Sequence, residues 1–189
     1  MAITNKDTKV VTGKVRFSYC HVFKPQAMED GQDPKYSVCL LIKKSDKETL
    51  RKIQAAVNAA IEAGKSKWGG KIPPNLKKPL RDGDTEKDTD AYPEYAGHYF
   101  LNCTSKQKPG IVDQDRNEIL DSTEVYSGCY GRVSLNFYAY DAKGNKGVAA
   151  GLNNIQKLAD GEYLGGRSSA SDDFDDDIVD ISGDDDFLN

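Results

Sequence analysis

Cys129-Tyr130-Gly131-Arg132-Val133-Ser134-Leu135-Asn136-Phe137-Tyr138-Ala139-Tyr140 alternates without a break. Cys129, Gly131, Val133, Leu135, Phe137 and Ala139 make one apolar series, and Tyr130, Arg132, Ser134, Asn136, Tyr138 and Tyr140 make the other. A period of two over this length is a β-strand with one face in a core and one toward solvent. The turn Asp141-Ala142-Lys143-Gly144-Asn145 folds the chain back into Lys146–Ile155, a Gly/Ala-rich strand, so the pair predicts a hairpin. Gln156–Leu158 reads as a short helical turn.

Upstream, Gly97–Ser105 alternates, with Tyr99, Leu101 and Cys103 against His98, Phe100 and Asn102, and Gly110–Asp113 is a short apolar segment. Lys9–Tyr19 predicts a strand with Val11, Gly13, Val15, Phe17 and Tyr19 inward and Thr12, Lys14, Arg16 and Ser18 outward. Lys24–Pro34 is a polar loop, and Lys35–Lys44 is a second strand with Tyr36, Val38, Leu40 and Ile42 inward. Between them and the later strands lies one amphipathic helix, at about 45–63. Ser45 and Glu48 form a capping box, Leu50, Ile53, Val57, Ala60 and Ile61 repeat at helical spacing, and Gly64 is a stop. Residues 65–96 have no sustained periodicity and predict a long loop insertion, a length that usually carries function. The expectation is a mostly β protein. It has a flexible 1–8, an OB-fold-like antiparallel barrel over 9–164 with the 65–96 insertion, and a disordered acidic tail over 165–189. Such barrels more often carry their helix later in the chain.

The tail changes the meaning of the charge. The chain has 189 residues and a formal charge of −4, with 26 Lys and Arg against 30 Asp and Glu. Ser168–Asn189 holds nine aspartates and no cation, so residues 1–167 keep 26 basic side chains against 21 acidic ones. A mildly basic body tethered to an acidic peptide suits a polyanion-binding domain whose tail competes for the same groove or recruits partners. Ile178, Val179, Ile181 and the closing Asp184-Asp185-Asp186-Phe187-Leu188 offer apolar anchors that a solubilising tail does not need. No run of about 18 apolar residues predicts a membrane span, and the N-terminus lacks a signal-peptide core, so a cytoplasmic location is the expectation. Cys20, Cys39, Cys103 and Cys129 form no C-x-x-C pair and read as free thiols.

The outer series of 129–140 carries the chemistry. Rings of Tyr130, Tyr138 and Tyr140 can stack on bases of any sequence, while Arg132 holds phosphate and Asn136 hydrogen-bonds. Cross-strand packing suits the same tyrosines. Lys14 and Arg16 add cations if the first strand shares the sheet. In the insertion, Lys71, Lys77, Lys78 and Arg81 offer phosphate contacts and Trp68 another ring; a solvated loop explains those charges equally. Enzyme signals fail. Gly64-Lys65-Ser66 ends a helix instead of starting one, and the first glycine of a phosphate loop would fall at Ala59. No nucleophile elbow, metal-ligand spacing or cofactor motif stands out, so no catalytic residue, metal or cofactor is expected.

Tyr126-Ser127-Gly128-Cys129-Tyr130-Gly131-Arg132-Val133, Asn136–Tyr140 and Lys146–Gln156 resemble a family of phage and prophage single-stranded-DNA-binding proteins. The likeness extends to Phe17 and Tyr19, to Pro93–His98, to Lys108–Asp113 and to the Asp-rich end, which is also similar to the tails of T7-type and bacterial single-strand binders. The resemblance implies an OB-fold, non-catalytic DNA binding in replication or recombination inside a bacterial host cell, tail contacts with replication proteins, and often a homodimer. The other class left open is an interaction adaptor with little DNA binding of its own.

Overall fold

The computed structural model describes residues 3–27 and 29–164; the acidic tail, with Asp184, Asp185, Asp186 and Phe187, lies outside the described residues. The alternating stretch is strand β7 (Tyr130–Ala142), and it pairs antiparallel with β8 (Asn145–Ala159) from Ala142↔Asn145 to Tyr130↔Ala159. β8 therefore runs straight through the segment expected as a helical turn. There Gln156 pairs with Arg132 on one side and with Val112 of β6 (Gly110–Val112) on the other, so two strands claim its backbone.

The remaining strands are β1 (Lys9–Val11), β2 (Val15–Gln26), β3 (Lys35–Lys43), β4 (Leu80–Asp82) and β5 (His98–Ser105). β2, β3, β5, β8 and β7 form a ring in that order, closed where β7 pairs back onto β2. All ring pairings are antiparallel except β5 with β8. That five-stranded order with one parallel contact is the OB-type barrel. Its inside is filled by Phe17, Leu40, Leu101, Leu135, Phe137 and Ile155, and α1 (Lys47–Gly64) packs Ile53, Ala56, Val57 and Ala60 against them. The helix comes early, between the second and third barrel strands.

Four local expectations need correction. Asp46, not Ser45, caps α1: its carboxylate accepts the backbone N–H of Thr49 at 3.2 Å. Gly64 does not stop the helix, which runs on into a 3-10 turn (Lys65–Trp68) ended by Gly69 at φ 72°. Gly64 is needed for closeness, since a Cβ there would collide with the Ala139 side chain of β7. The first strand is broken in two. Thr12 takes the backbone N–H of Val133 on its hydroxyl at 3.1 Å, and Gly13 donates to Thr49 Oγ1 at 2.9 Å. The break shifts the alternation, burying Val10 and exposing Val11. Tyr19, at φ 47°, shifts it again and turns its ring outward, 57% exposed. Lastly, the 65–96 segment is partly built into the barrel: β4 pairs with β5, and α2 (Gly83–Glu86) follows at once.

Among the described residues no helix is long and apolar enough to cross a membrane, and no group of three or more His, Cys, Asp and Glu side chains converges as a metal site. Gly64→Ala raises intrinsic helix propensity yet forces a methyl into Ala139. We expect it to destabilise the fold by about 1–3 kcal/mol, the usual cost of overpacking, read as a lower urea midpoint at unchanged slope.

Candidate nucleic-acid interface

β3 is apolar on both faces. Val38, Leu40 and Ile42 enter the barrel, while Cys39 and Leu41 point outward and are covered by Tyr95 and Phe100. Val38-Cys39-Leu40-Leu41-Ile42 is an unbroken apolar run, a pattern that fits a strand covered on two sides and that a reading of alternate residues passes over. The Tyr95 and Phe100 rings meet edge to face at 5.3 Å between centroids. Burial pushes the Cys39 thiol up to about 11, and the Tyr95 phenol is raised mainly by burial too. Both stay protonated at neutral pH, so this floor is uncharged.

Above the floor the outer faces of β2, β3 and β5 form a groove. One depression of about 380 Å³ is lined by Tyr19, His21, Asn102, Arg81, Lys87 and Phe100 among others. A second, of about 350 Å³, is lined by Lys35, Lys106, Gln32 and Asp33, and the two share Gln26, Ser37 and Thr104. The groove thus has cations at both ends, Arg81 and Lys87 at one and Lys35 and Lys106 at the other. Asp33 is the one carboxylate among the described residues lining it. The loop between β2 and β3 walls one side. In OB barrels this face, strands two and three with the loop between strands one and two, is where oligonucleotides lie.

Of the described residues expected from sequence, Arg81 alone lines this groove. Trp68 is excluded from stacking: it is 6% exposed, in the core, with its indole N–H donated to the Tyr140 carbonyl at 3.1 Å. Lys14, Arg16 and Tyr130 do come together. Lys14 Nζ lies 5.1 Å and Arg16 Cζ 5.5 Å from the Tyr130 ring centroid. Arg16 is also committed to structure, donating to the carbonyls of Gly128 (3.1 Å) and Glu162 (2.8 Å). Those bonds tie down the chain that follows β8. Its last described residue, Leu164, packs on the groove-floor cluster of Cys39, Leu41, Tyr95 and Phe100.

The outer series of β7 faces outward as the alternation predicts, on barrel strands outside the groove. Asn136 accepts the Thr8 hydroxyl at 3.0 Å, Arg132 and Tyr138 are exposed, and Tyr138 lies beside Gly151 of β8. Tyr140 is half-buried over Gly147. Lys71, Lys77 and Lys78 have exposed side chains, and the Lys77 backbone bonds to Lys146 and Val148. Sequence reading missed Tyr19, His21, Lys87, Asn102 and Thr104. The left-handed bulge that turns Tyr19 outward leaves no trace in an alternation count.

Comparison with known proteins gives relatives of this chain and of its fold. The family described as Enterobacter phage Enc34, ssDNA-binding protein, matches residues 8–188. Protein p50 of Acyrthosiphon pisum secondary endosymbiont phage 1 is 30% identical over 179 residues, 89% of this chain and 93% of that relative. Among solved structures, the single-stranded DNA-binding protein from bacteriophage Enc34 in complex with ssDNA superposes with a TM-score of 0.73 at 28% identity, covering 85% of this chain and 91% of that one. Bacteriophage T7 gp2.5, a single-stranded DNA binding protein, shares the fold at a TM-score of 0.61 and 15% identity, over 90% and 96% of the two chains.

The buried thiols yield a check on the floor. Cys39 should resist thiol reagents at pH 8 until the protein unfolds. Because the folded pKa values of Cys39 (about 11) and Cys20 (about 12) lie above the ordinary thiol value of 9.0, their contribution to stability is complete below pH 9 and is lost as pH rises toward 12. Urea midpoints across that window should fall, and a Cys39→Ser variant should flatten part of the decline.

Proposed function

Because the chain belongs to the family of the Enterobacter phage Enc34 ssDNA-binding protein, we propose that it binds single-stranded DNA without sequence preference in the β2–β3–β5 groove. It acts there by binding alone, with no catalysis. The observation that carries the assignment is an uncharged aromatic-floored groove with cations at both ends on the OB strands that suit a strand of nucleic acid. Lys87, Lys35 and Lys106 draw phosphates, Tyr19 stacks on a base, and Asn102, Thr104 and His21 offer hydrogen bonds that any base can use. Lys14, Arg16, Lys71, Lys77, Lys78 and Arg132 add attraction on the flanks. The exposed Tyr138 favours a second reading, in which the strand lies on the β7 face instead, with Tyr130, Tyr138 and Tyr140 as its platforms and Asn136 beside them.

The acidic segment 165–189 competes with DNA. Its support is the place of Leu164, which packs against the groove-floor cluster, so the chain that leads on to the acidic segment leaves from near the groove. A short tether gives an effective concentration on the order of mM. Asp184–Phe187 also serve to recruit replication or recombination proteins of the bacterial host cell, and the working unit is a homodimer.

Titration of a fluorescent dT oligomer at several salt concentrations tests the assignment. Affinity should fall with salt at a slope of about −2, from roughly 0.7 per phosphate for three groove lysines. Tyr19→Ala should cost about 1–3 kcal/mol, with Tyr138→Ala nearly silent; the reverse pattern moves the strand to β7. Deleting 165–189 should tighten binding, most at low salt and least at high salt, where the competing carboxylates are screened. A looser truncated protein would remove the competition.

A further inference from the structure

Arg81 faces Phe100 across the β4–β5 pairing, and its Cζ lies over the Phe100 ring, 5.0 Å from the centroid. Its charge is already engaged. Nε and Nη2 each stand 2.9 Å from Glu86 Oε1. The other Glu86 oxygen accepts the Asp82 backbone N–H at 3.1 Å, so the carboxylate is fixed by the first turn after β4. The Arg81 side chain is nevertheless 48% exposed and lines the groove, while the Phe100 ring beneath it is 1% exposed. No base reaches Phe100 directly.

We propose, resting on the groove assignment above, that Arg81 is a stacking platform for a nucleobase and not a phosphate contact. A guanidinium is flat and weakly hydrated, so with one face on a ring its other face accepts a second ring. Here that gives a pile of Phe100, Arg81 and base. Glu86 sets the orientation, and its negative charge repels a phosphate arriving at the same place. Lys87 differs in kind. Its ammonium lies 5.3 Å from the Phe100 centroid and 5.4 Å from that of Tyr95, and it has no flat face to offer. Phosphate at this end of the groove falls to Lys87.

The test uses the full chain with Arg81→Lys, Arg81→Ala and Tyr19→Ala. Each is titrated with a dT oligomer and with an abasic oligomer of the same length, at two salt concentrations. Stacking predicts that Arg81→Lys loses at least about fivefold on dT, as much as Arg81→Ala. For Arg81→Lys, which keeps the charge beside Glu86, affinity for the abasic strand and the salt slope should stay unchanged. Arg81→Lys binding dT like the wild type overturns the proposal. So does an equal loss on both strands with a shallower slope, which marks a phosphate contact. Failure of the groove assignment looks different: Tyr19→Ala then binds as the wild type does, while the Arg81 pattern is read independently from its own two substitutions.

Discussion

Only two residue pairs, Cys103–Ala150 and Thr104–Gly151, join β5 directly to β8. The rest of that seam would expose backbone on both strands, and each buried unpaired group costs about 1–3 kcal/mol. The chain from Lys77 to Asp82 fills it. Lys77 donates to the Lys146 carbonyl (3.0 Å) and accepts from Val148 (2.9 Å), and β4 then pairs with Leu101, Phe100 and Tyr99. Lys44 braces the end of this patch, with Nζ 2.7 Å from both Asp82 and Asp84, and its hydrogen bonds hold both carboxyls below the usual range. A barrel stave thus doubles as the mount for Arg81. The groove inherits its geometry from the need to close a seam.

β3 explains why a groove exists at all. Its inner face is covered along its length by the barrel core and α1, which leaves no room for a ligand. Its outer face is covered only at Cys39 and Leu41, by the short 3-10 turn Pro93–Tyr95, by Phe100 and by Leu164. Beyond that small cover, Ser37, Asn102 and Thr104 stay accessible. The partial second core supplies an apolar floor, and the uncovered remainder supplies polar edges.

The barrel was legible because β7 and β8 alternate over long runs, and because one strong helix could only pack on a sheet. The β7 faces came out right residue by residue. The site was less legible, for reasons that lie in single residues. Gly13 and Tyr19 each add a break of phase to one strand, and a period-two reading carries Tyr19 inward past both. Trp68 looked like a ring free for stacking because the 3-10 turn that swings it beneath Tyr140 continues α1 past a glycine that reads as a stop. Arg81 and Phe100 stand far apart in sequence, and only the register of β4 on β5 reveals their contact. The unbroken apolar run of β3 holds a signal for a second cover, and a reading of its alternate residues as one inward series passes over it.

The β7–β8 hairpin has a further consequence, for the order in which the fold can form. Its turn, Lys143 at φ 52° and Gly144 at φ 86°, has the mirror-image hand that matches strand twist, and all its pairings are local. Ring closure is the opposite: Val15 meets Gly131 and Arg16 meets Tyr130 across nearly the whole domain. Long-range contacts of that kind bear the loop-closure entropy and come late. During synthesis the N-terminal strands must therefore wait, unsealed, until the hairpin has cleared the ribosome, and the molecule becomes a barrel only when its last strand arrives.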